Sequence, residues 1–309
     1  MRIQRINLTI VAPTGGVDMK AGGVGMGPAV ELSSGCSISD SEVTTYGNCG
    51  SNVTPLLGLS GDDTLVQRNV FRNGCTIYSA RSVTRLLWES TTSHFYGHGG
   101  RGGNVIATFG SPFRVEYVTW FNNTQVNNPV LPNGTVVKNP PTNHRLEGLT
   151  LDGGGGAYTG GVATATSTTV TLASAPFGPG SGTYVPHYNL LSWNGAAVMV
   201  LNGTGAGQWR RVVGRTGPRG AERLWKVDTP WTVLPDASSQ IQIAPLRGHI
   251  LLAENSWHSA YTVQLYGMCI ASVVSGNVFE DTPFCKDLAL EPTSPLELTA
   301  ATKIVRLAS

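Results

Sequence analysis

The sequence predicts an all-β fold, a right-handed parallel β-helix solenoid with an inserted antiparallel β subdomain. The composition, with 39 Gly among 309 residues and only 13% charged residues, favours strands and turns over helices. A short signature recurs along the chain, and a central segment of different character interrupts it. Because a solenoid lengthens its core without thickening it, this length does not require a second independent domain.

The recurring signature is an apolar stretch followed by Asn, one further residue and an aromatic residue. It is clearest around Asn69, Asn255 and Asn277, and the last two are 22 residues apart, about one coil of a parallel β-helix. Asn tolerates left-handed backbone, and its amide can bond the equivalent group one coil away. We therefore expect these Asn residues to form a structural ladder at equivalent turns, with Asn255 and Asn277 directly stacked. Weaker copies of the signature are found at residues 36–41, 85–91, 114–120 and 145–153.

The aromatic residue of each signature lies two positions after the Asn. Side chains two apart in a strand point to the same face, so Phe71, Trp257 and Phe279 are expected to form an internal stack. The first residues of the chain, 1–13, alternate apolar and polar side chains and are predicted to form one strand. They lack the apolar region of a signal peptide, so either a leader has been removed or the chain begins inside a larger protein.

The period disappears between about Ala157 and Pro245, and the coil signature resumes at Gly248. Gly- and Pro-rich turns separate short β-rich stretches there, which is typical of antiparallel strands. The sequence therefore predicts coils over residues 1–156, an inserted β subdomain over 157–245, and coils with a C-terminal segment over 246–309. The insert is expected to leave the solenoid near Asp152 and to cover one of its faces. Its predicted strands are 167–172, 197–201, 208–213, 223–227 and 240–243.

Charge and cysteine usage exclude several classes of protein. The net charge is +2 and the Arg and Lys residues are scattered, which does not indicate nucleic-acid binding. The sequence contains no run of about 18 apolar residues, so no membrane span is predicted. The five cysteines show no CxxC spacing, so we predict neither a metal site nor a cofactor. Two pairs, Cys36 with Cys49 and Cys269 with Cys285, are close enough in sequence for disulfides, and buried free thiols are the equal alternative.

Several stretches together carry a resemblance to a known superfamily. They are residues 202–212 (NGTGAGQWRRV), 225–231 (WKVDTPW), 235–239 (PDASS), and 263–267 (VQLYG) followed by 274–279 (VSGNVF). With these the chain resembles, over nearly its whole length, secreted proteins of the pectin-lyase-like right-handed β-helix superfamily. The resemblance implies a polysaccharide or glycan partner and an extracellular or cell-surface location. It does not choose among lyases, hydrolases, epimerases and tailspikes, and no lyase motif of that superfamily is present.

The candidate catalytic residues come from the 22-residue period. That period puts His258 and Glu280 in one column of adjacent coils, and Ser259 and Asp281 in the next. Since neighbouring strands are about 4.8 Å apart, His258 is expected to reach Glu280. With Glu254 on the same coil, this cluster can supply carboxylates and a His for proton transfer. A solvated His–Glu pair without catalytic function is the alternative.

The candidate substrate-binding residues are His98, Arg101, Asp152 and Trp231. His98 and Arg101 lie in the glycine-rich stretch 96–104, which can bring them close to a substrate but can equally be a plain turn. Asp152 precedes four glycines where the insert leaves the solenoid. Trp231 belongs to an insert rich in Trp, whose rings can stack on sugars or anchor a small core.

The sequence thus predicts an extracellular protein directed at a polysaccharide. Cleavage by a glycoside hydrolase or a polysaccharide lyase is the leading hypothesis. A non-catalytic structural, adhesive or glycan-binding solenoid is the alternative, since long stacked faces can also serve assembly or binding.

Overall fold

The fold is known from a computed structural model, and it is all-β. Among the described residues the chain forms 29 strands and no helix, and hence no helix able to cross a membrane. The structure describes residues 1–11, 30–46, 57–59, 61–74, 76–78, 83–95, 103–106, 114–126, 147–151, 156–176, 192–217, 221–258, 262–265, 267–280, 289–290 and 303–305.

Three parallel sheets, called A, B and C, contain 23 of these strands. Sheet A contains β1 (Arg2–Gln4), β4 (Ser37–Ser39), β7 (Thr64–Gln67), β10 (Val83–Glu89), β13 (Val115–Phe121), β22 (Leu246–Ala253), β25 (Met268–Ile270) and β26 (Val273–Ser275). Sheet B contains β2 (Asn7–Val11), β5 (Glu42–Tyr46), β8 (Val70–Gly74), β11 (Thr92–Phe95), β14 (Thr124–Val126), β23 (Ser256–His258), β27 (Val278–Glu280) and β29 (Lys303–Val305). Sheet C contains β3 (Val30–Leu32), β6 (Leu57–Leu59), β9 (Thr76–Tyr78), β12 (Gly103–Ile106), β15 (Glu147–Leu151), β24 (Thr262–Leu265) and β28 (Ala289–Leu290).

The chain visits the three sheets in turn. From β1 to β15 it passes through A, B and C five times, and we call each such pass a rung. The next rung begins at β22, after the six strands of the insert, and its strands pair in parallel with those of the rung before the insert. Residues 132 positions apart in sequence are therefore neighbours, because the stack continues where the insert returns to it.

The core shared by the three sheets is apolar and contains stacked aromatic rings. Trp88 and Trp120 of sheet A stack with ring centroids 4.5 Å apart, and Trp257 and Phe279 of sheet B stack at 4.8 Å. Phe71 is fully buried and tilted against Trp88. The inward direction predicted for the aromatic residue after each Asn is confirmed.

The second position after sheet A forms a ladder, which has Ile6 in the first rung and a buried polar residue in each of the next six rungs. The backbone N–H of each ladder residue donates to the side-chain oxygen of the next, at 2.9 to 3.3 Å. The direct stacking of Asn255 on Asn277 is confirmed, with the Asn255 amide donating to Asn277 Oδ1 at 2.9 Å. Each ladder Asn also donates to a main-chain carbonyl of sheet A, which explains why an amide is favoured there. The polar residues of the ladder are Ser41, Asn69, Thr91, Asn123, Asn255 and Asn277.

The left-handed backbone belongs to the residue before each ladder position, which corrects the sequence argument. That argument gave the left-handed conformation to the Asn itself. The residues with the left-handed conformation carry varied side chains, so the conformation is required by the sharp turn between sheets A and B. The hydrogen bonds of the buried ladder stabilise that turn. The left-handed residues before the ladder positions are Arg5, Asp40, Arg68, Ser90, Asn122, Glu254 and Gly276, with φ between 49° and 63°. Because Arg5 turns the chain, residues 1–13 begin with two strands, β1 and β2, where one was predicted.

The insert is a closed antiparallel barrel of six strands in the order β16–β17–β20–β19–β18–β21. The prediction of an antiparallel unit is confirmed, and the bounds of five strands match the predicted stretches to within three residues. The strand without a sequence prediction is β16, where Gly160 and Gly161 break the β-rich pattern and pairing with β21 holds the strand. The strands are β16 (Tyr158–Thr166), β17 (Thr169–Leu172), β18 (Ala197–Asn202), β19 (Trp209–Thr216), β20 (Leu224–Val227) and β21 (Gln240–Ala244).

Two cysteines lie in the described part of the chain, and both are buried free thiols. Cys36 and Cys269 therefore follow the alternative that the sequence left open, and neither forms the disulfide considered for it. Burial raises the pKa of Cys269 to about 12, so this thiol stays protonated at neutral pH. Cys49, Cys75 and Cys285 lie outside the described residues.

Candidate functional site

His258 and Glu280 lie in contact on the outer face of sheet B. Strands β23 and β27 pair in a register that sets His258 opposite Glu280, and His258 Nδ1 lies 2.8 Å from Glu280 Oε2. The neighbours Trp257 and Phe279 point into the core, so the pair points outward, and each of its side chains is about one-third exposed. The column predicted from the 22-residue period thus brings the two side chains together.

His258 Nδ1 lies within hydrogen-bonding distance of the Glu280 carboxylate, a spacing that suits an oriented proton carrier. When Nδ1–H of a His donates to a carboxylate, the ring is held in place and Nε2 is left as the free basic nitrogen. The carboxylate also stabilises the imidazolium that forms when Nε2 takes a proton. An accessible His held this way can act as a general base and then return the proton as an acid.

Glu254, the other carboxylate predicted for this site that lies among the described residues, is not in contact with the pair. It occupies the exposed left-handed turn before β23, with φ of 55°, and its carboxylate lies over Gly276 of the next rung. Its participation stays a prediction. Asp281, His98, Arg101 and Asp152 fall outside the described residues.

Trp231 lies in the core of the barrel. It is 7% exposed, and the Arg210 guanidinium covers its ring at 5.2 Å from the centroid. Arg210 is itself held by the carbonyl of Pro230 and the hydroxyl of Thr232. The ring therefore offers no open face to a sugar, which agrees with the alternative of a core anchor. Trp193 and Trp225 are also buried in this core.

The outer column that contains the pair carries further ionisable groups. In register, Arg72, His94, Val126, His258 and Glu280 follow one another on neighbouring strands. The Arg72 guanidinium donates to the carboxylate of Glu42, in the rung before it, at 2.7 Å. This line of side chains, about 4.8 Å per step, runs along the stack of rungs.

His94 has a pKa below its ordinary value of 6.5, because burial disfavours its charged form and the cation of Arg72 adds to the effect, while Glu42 opposes it. The unfolded chain therefore binds this proton more tightly than the folded protein. The contribution to stability is complete above pH 6.5 and is lost as the pH falls through the lower folded-state pKa. When the pH is lowered from about 7.5 to about 5.5, the free energy of unfolding should fall less for His94→Gln than for the wild type. Urea titrations at the two pH values measure the difference. Equal losses in the two proteins would contradict this assignment.

A buried carboxylate joins the barrel to sheet A. Glu116 of β13 is 1% exposed, and Arg211 of β19 donates to both of its oxygens at 2.8 and 2.9 Å. Arg114 contacts the same carboxylate at 3.1 Å. The next residue in this column is Gly248, where an added Cβ would be 3.4 Å from Glu116 Oε1. One ion-pair cluster thus holds the insert against the outer side of sheet A.

Replacing Glu116 with Gln is expected to lower the free energy of unfolding by about 1–3 kcal/mol. Removing one partner of a buried pair costs about 3–5 kcal/mol, and the partial exposure of the two Arg side chains reduces that cost. Urea unfolding measures the loss. Asp63→Asn is the matched control, because Asp63 pairs with Arg85 where both are more than half exposed, and its loss of stability should be much smaller than that of Glu116→Gln. Equal losses of unfolding free energy in the two variants would contradict a stabilising role of the buried Glu116 cluster.

The adjacent carboxylates Asp62 and Asp63 are both close to Arg85. Arg85 binds Asp63 through two nitrogens, with Nη2 at 2.7 Å, and holds the pKa of Asp63 below its usual value. Within the described ranges, no group of three or more His, Cys, Asp or Glu is arranged to hold a metal ion.

Sequence reasoning missed Glu116 with Arg211, and also an exposed stack of Tyr117 on His249. Tyr117 and His249 each lie six residues before a ladder Asn, so the ladder positions are the signal that could have found them. A comparison with protein-family models and with curated proteins found no match to this chain.

Proposed function

We propose that the protein is a right-handed parallel β-helix of the pectin-lyase-like kind that acts on a polysaccharide outside the cell or at its surface. The architecture supports the first part. Three parallel sheets visited in turn, an inner Asn ladder and inner aromatic stacks are what a coil of short strands needs to satisfy its turns and fill its core. The domain limits near residues 156 and 246 belong to the same proposal.

Cleavage at the His258–Glu280 pair is the leading activity, and the 2.8 Å contact between the two side chains carries it. In a lyase, Nε2 of His258 removes the proton beside a uronate carboxyl group, the bond to the leaving oxygen breaks, and a double bond forms. In a hydrolase, the same nitrogen removes a proton from the attacking water while the glycosidic oxygen leaves with a proton. Both reactions need a base that is active near neutral pH, and an accessible His supplies it.

A non-catalytic glycan-binding solenoid is the second candidate, and one observation favours it. Glycoside hydrolysis ordinarily uses two carboxylates on one surface. In the part of the chain that the structure describes, Glu280 forms an ion pair with His258 and no second carboxylate does. Long flat outer faces suit binding without chemistry.

A screen of polygalacturonate, alginate, xylan and mixed-linkage β-glucan separates the candidates. New reducing ends together with the absorbance of an unsaturated uronide identify a lyase, and reducing ends alone identify a hydrolase. Sedimentation with insoluble forms of the same polysaccharides measures binding. Binding without cleavage would replace the enzyme by the non-catalytic solenoid, and absence of both would overturn the polysaccharide proposal.

A further inference from the structure

We propose a second glycan-binding site, distinct from the His258–Glu280 pair, where a neutral pyranose ring stacks on His249 at the junction of the barrel with sheet A. The class of ligand rests on the proposed function, whereas the site rests on its own geometry. It belongs to a column on the outer face of sheet A, six residues before the ladder in each rung. The column runs through Asp63, Arg85, Tyr117, His249 and Ala271, all with φ between 50° and 57°.

Tyr117 and His249 form a stack of two parallel rings in this column. Their centroids are 4.6 Å apart with an interplanar angle of 3°. Both side chains are exposed, Tyr117 to 51%. Because the shared left-handed backbone directs successive side chains alike, the rings follow the spacing of the rungs, and a further flat ring is accommodated at the same spacing.

The stack stops at Ala271. Strand pairing on both sides of it, Gly248 with Ile270 and Leu251 with Val273, places Ala271 next after His249 in the column. Its methyl group leaves the face of the imidazole opposite Tyr117 uncovered by the column itself. A ligand ring can take the place that a larger side chain would occupy there.

The barrel forms a wall beside this place. Ile270, the residue before Ala271, packs against a buried apolar cluster that Met199 and Trp209 of the barrel also contact. One strand, β19, supplies both Trp209 for this cluster and Arg211 for the contact with Glu116, since side chains two apart in a strand share a face. The place beyond the His249 ring, called the notch, therefore borders the cluster through Ile270, while the His249 and Ala271 side chains that flank it are exposed to water.

The charges around the notch balance, which favours an uncharged ligand. Arg211 and Arg114 share the Glu116 carboxylate, and the backbone N–H of Arg211 donates to Asp228 at 3.0 Å. The Glu116 carboxylate thus contacts both guanidinium groups, and the Asp228 carboxylate, which accepts from the Arg211 backbone, adds a second negative charge near them. A pyranose fits these surroundings, because its apolar C–H face covers an aromatic ring while its hydroxyl groups project from the rim towards water and the ring nitrogens of His249.

Phe121 offers a second contact for a longer chain. Among the large hydrophobic side chains that are exposed in the described residues, Tyr117 and Phe121 are the aromatic ones, and both project outward from β13. Four residues of strand span at most about 13 Å, enough for two or three sugar units. The expected ligand is thus an oligosaccharide that crosses sheet A from the notch towards Phe121.

Titration calorimetry with cellohexaose, xylohexaose, mannohexaose, maltohexaose and laminarihexaose tests the site. We expect at least one to bind the wild type, with affinity insensitive to salt. Tyr117→Ala should weaken that binding by about tenfold, whereas Tyr117→Phe keeps the ring and should retain it. Ala271→Phe should abolish binding by filling the notch, and the column accepts an aromatic residue because Tyr117 has the same backbone conformation. Leu234→Ala, at an exposed position of the barrel, should change nothing.

Equal binding to the wild type, Tyr117→Ala and Ala271→Phe would overturn the site, and so would failure of all five hexaoses to bind. Cleavage assays on the same variants separate this failure from that of the proposed function. If a polysaccharide is cleaved or sedimented while the Tyr117 variants behave like the wild type, the notch is wrong and the function stands. If the wild type neither cleaves nor binds any probe, both proposals fail. Should Ala271→Phe not fold, the comparison of Tyr117→Ala with Tyr117→Phe decides alone.

Discussion

Replacing Glu280 with Gln is expected to lower the rate of polysaccharide cleavage by about 10²–10⁴-fold. Gln keeps the shape of the side chain and a hydrogen-bond acceptor, but it removes the negative charge that stabilises the imidazolium of His258 at 2.8 Å. The measurement is the initial rate of release of reducing ends or unsaturated uronide from the substrate that the screen identifies. Loss of an ion pair this exposed should cost only about 0–1 kcal/mol of stability, so the variant is expected to fold.

Glu42→Gln is the matched control for this experiment. Glu42 lies on the outer face of the same sheet, pairs with Arg72 at 2.7 Å and is similarly exposed, but β5 is separated from β27 by four strands. Its rate should equal that of the wild type. The Glu254→Gln variant tests whether Glu254 takes part in cleavage, as the sequence predicted. A loss of rate would add Glu254 to the catalytic residues, and an unchanged rate would restrict them to His258 and Glu280. Full activity in Glu280→Gln would move the search to His98, Arg101 and Asp152.

Replacing Asn255 with Ala is expected to lower the free energy of unfolding by about 3–5 kcal/mol. The substitution leaves several buried polar groups without a partner, and each such group costs about 1–3 kcal/mol. The Asn255 oxygen accepts from the backbone and side-chain N–H of Asn123, both at 3.0 Å. Its amide donates to the carbonyl of Trp120 at 2.8 Å and to Asn277. Ala leaves these partners buried without a hydrogen bond. Urea unfolding followed by circular dichroism measures the loss.

Asn122→Gly is the matched control for the ladder. Asn122 is exposed and has a left-handed backbone with φ of 53°, a conformation that Gly adopts without strain. Its stability should stay close to that of the wild type. A loss below about 1 kcal/mol in Asn255→Ala would mean that water replaces the amide, and the ladder would then not be the element that holds the turns.

The position of the ladder and the inward or outward direction of strand residues could be predicted from the sequence. Both depend on short-range regularities, namely the period of two within a strand and the 22 residues between Asn255 and Asn277. From these followed the direct stack of the two Asn, the inner stack of Trp257 on Phe279, and the contact of His258 with Glu280. The strands of the insert were likewise readable, because Gly- and Pro-rich turns separate them.

Contacts between distant parts of the chain were decided by the tertiary structure. Tyr117 and His249 are 132 positions apart in sequence, so only the return of β22 beside β13 reveals their stack. Glu116 and Arg211 meet because the barrel packs against the outer side of sheet A, which no local pattern indicates. Conformation was decided in the same way at Glu254, where the turn between sheets imposes a left-handed backbone on a residue that does not favour it. Strand periodicity is encoded in neighbouring residues. The contacts between rungs and between faces depend instead on how the whole chain folds back onto the stack of rungs.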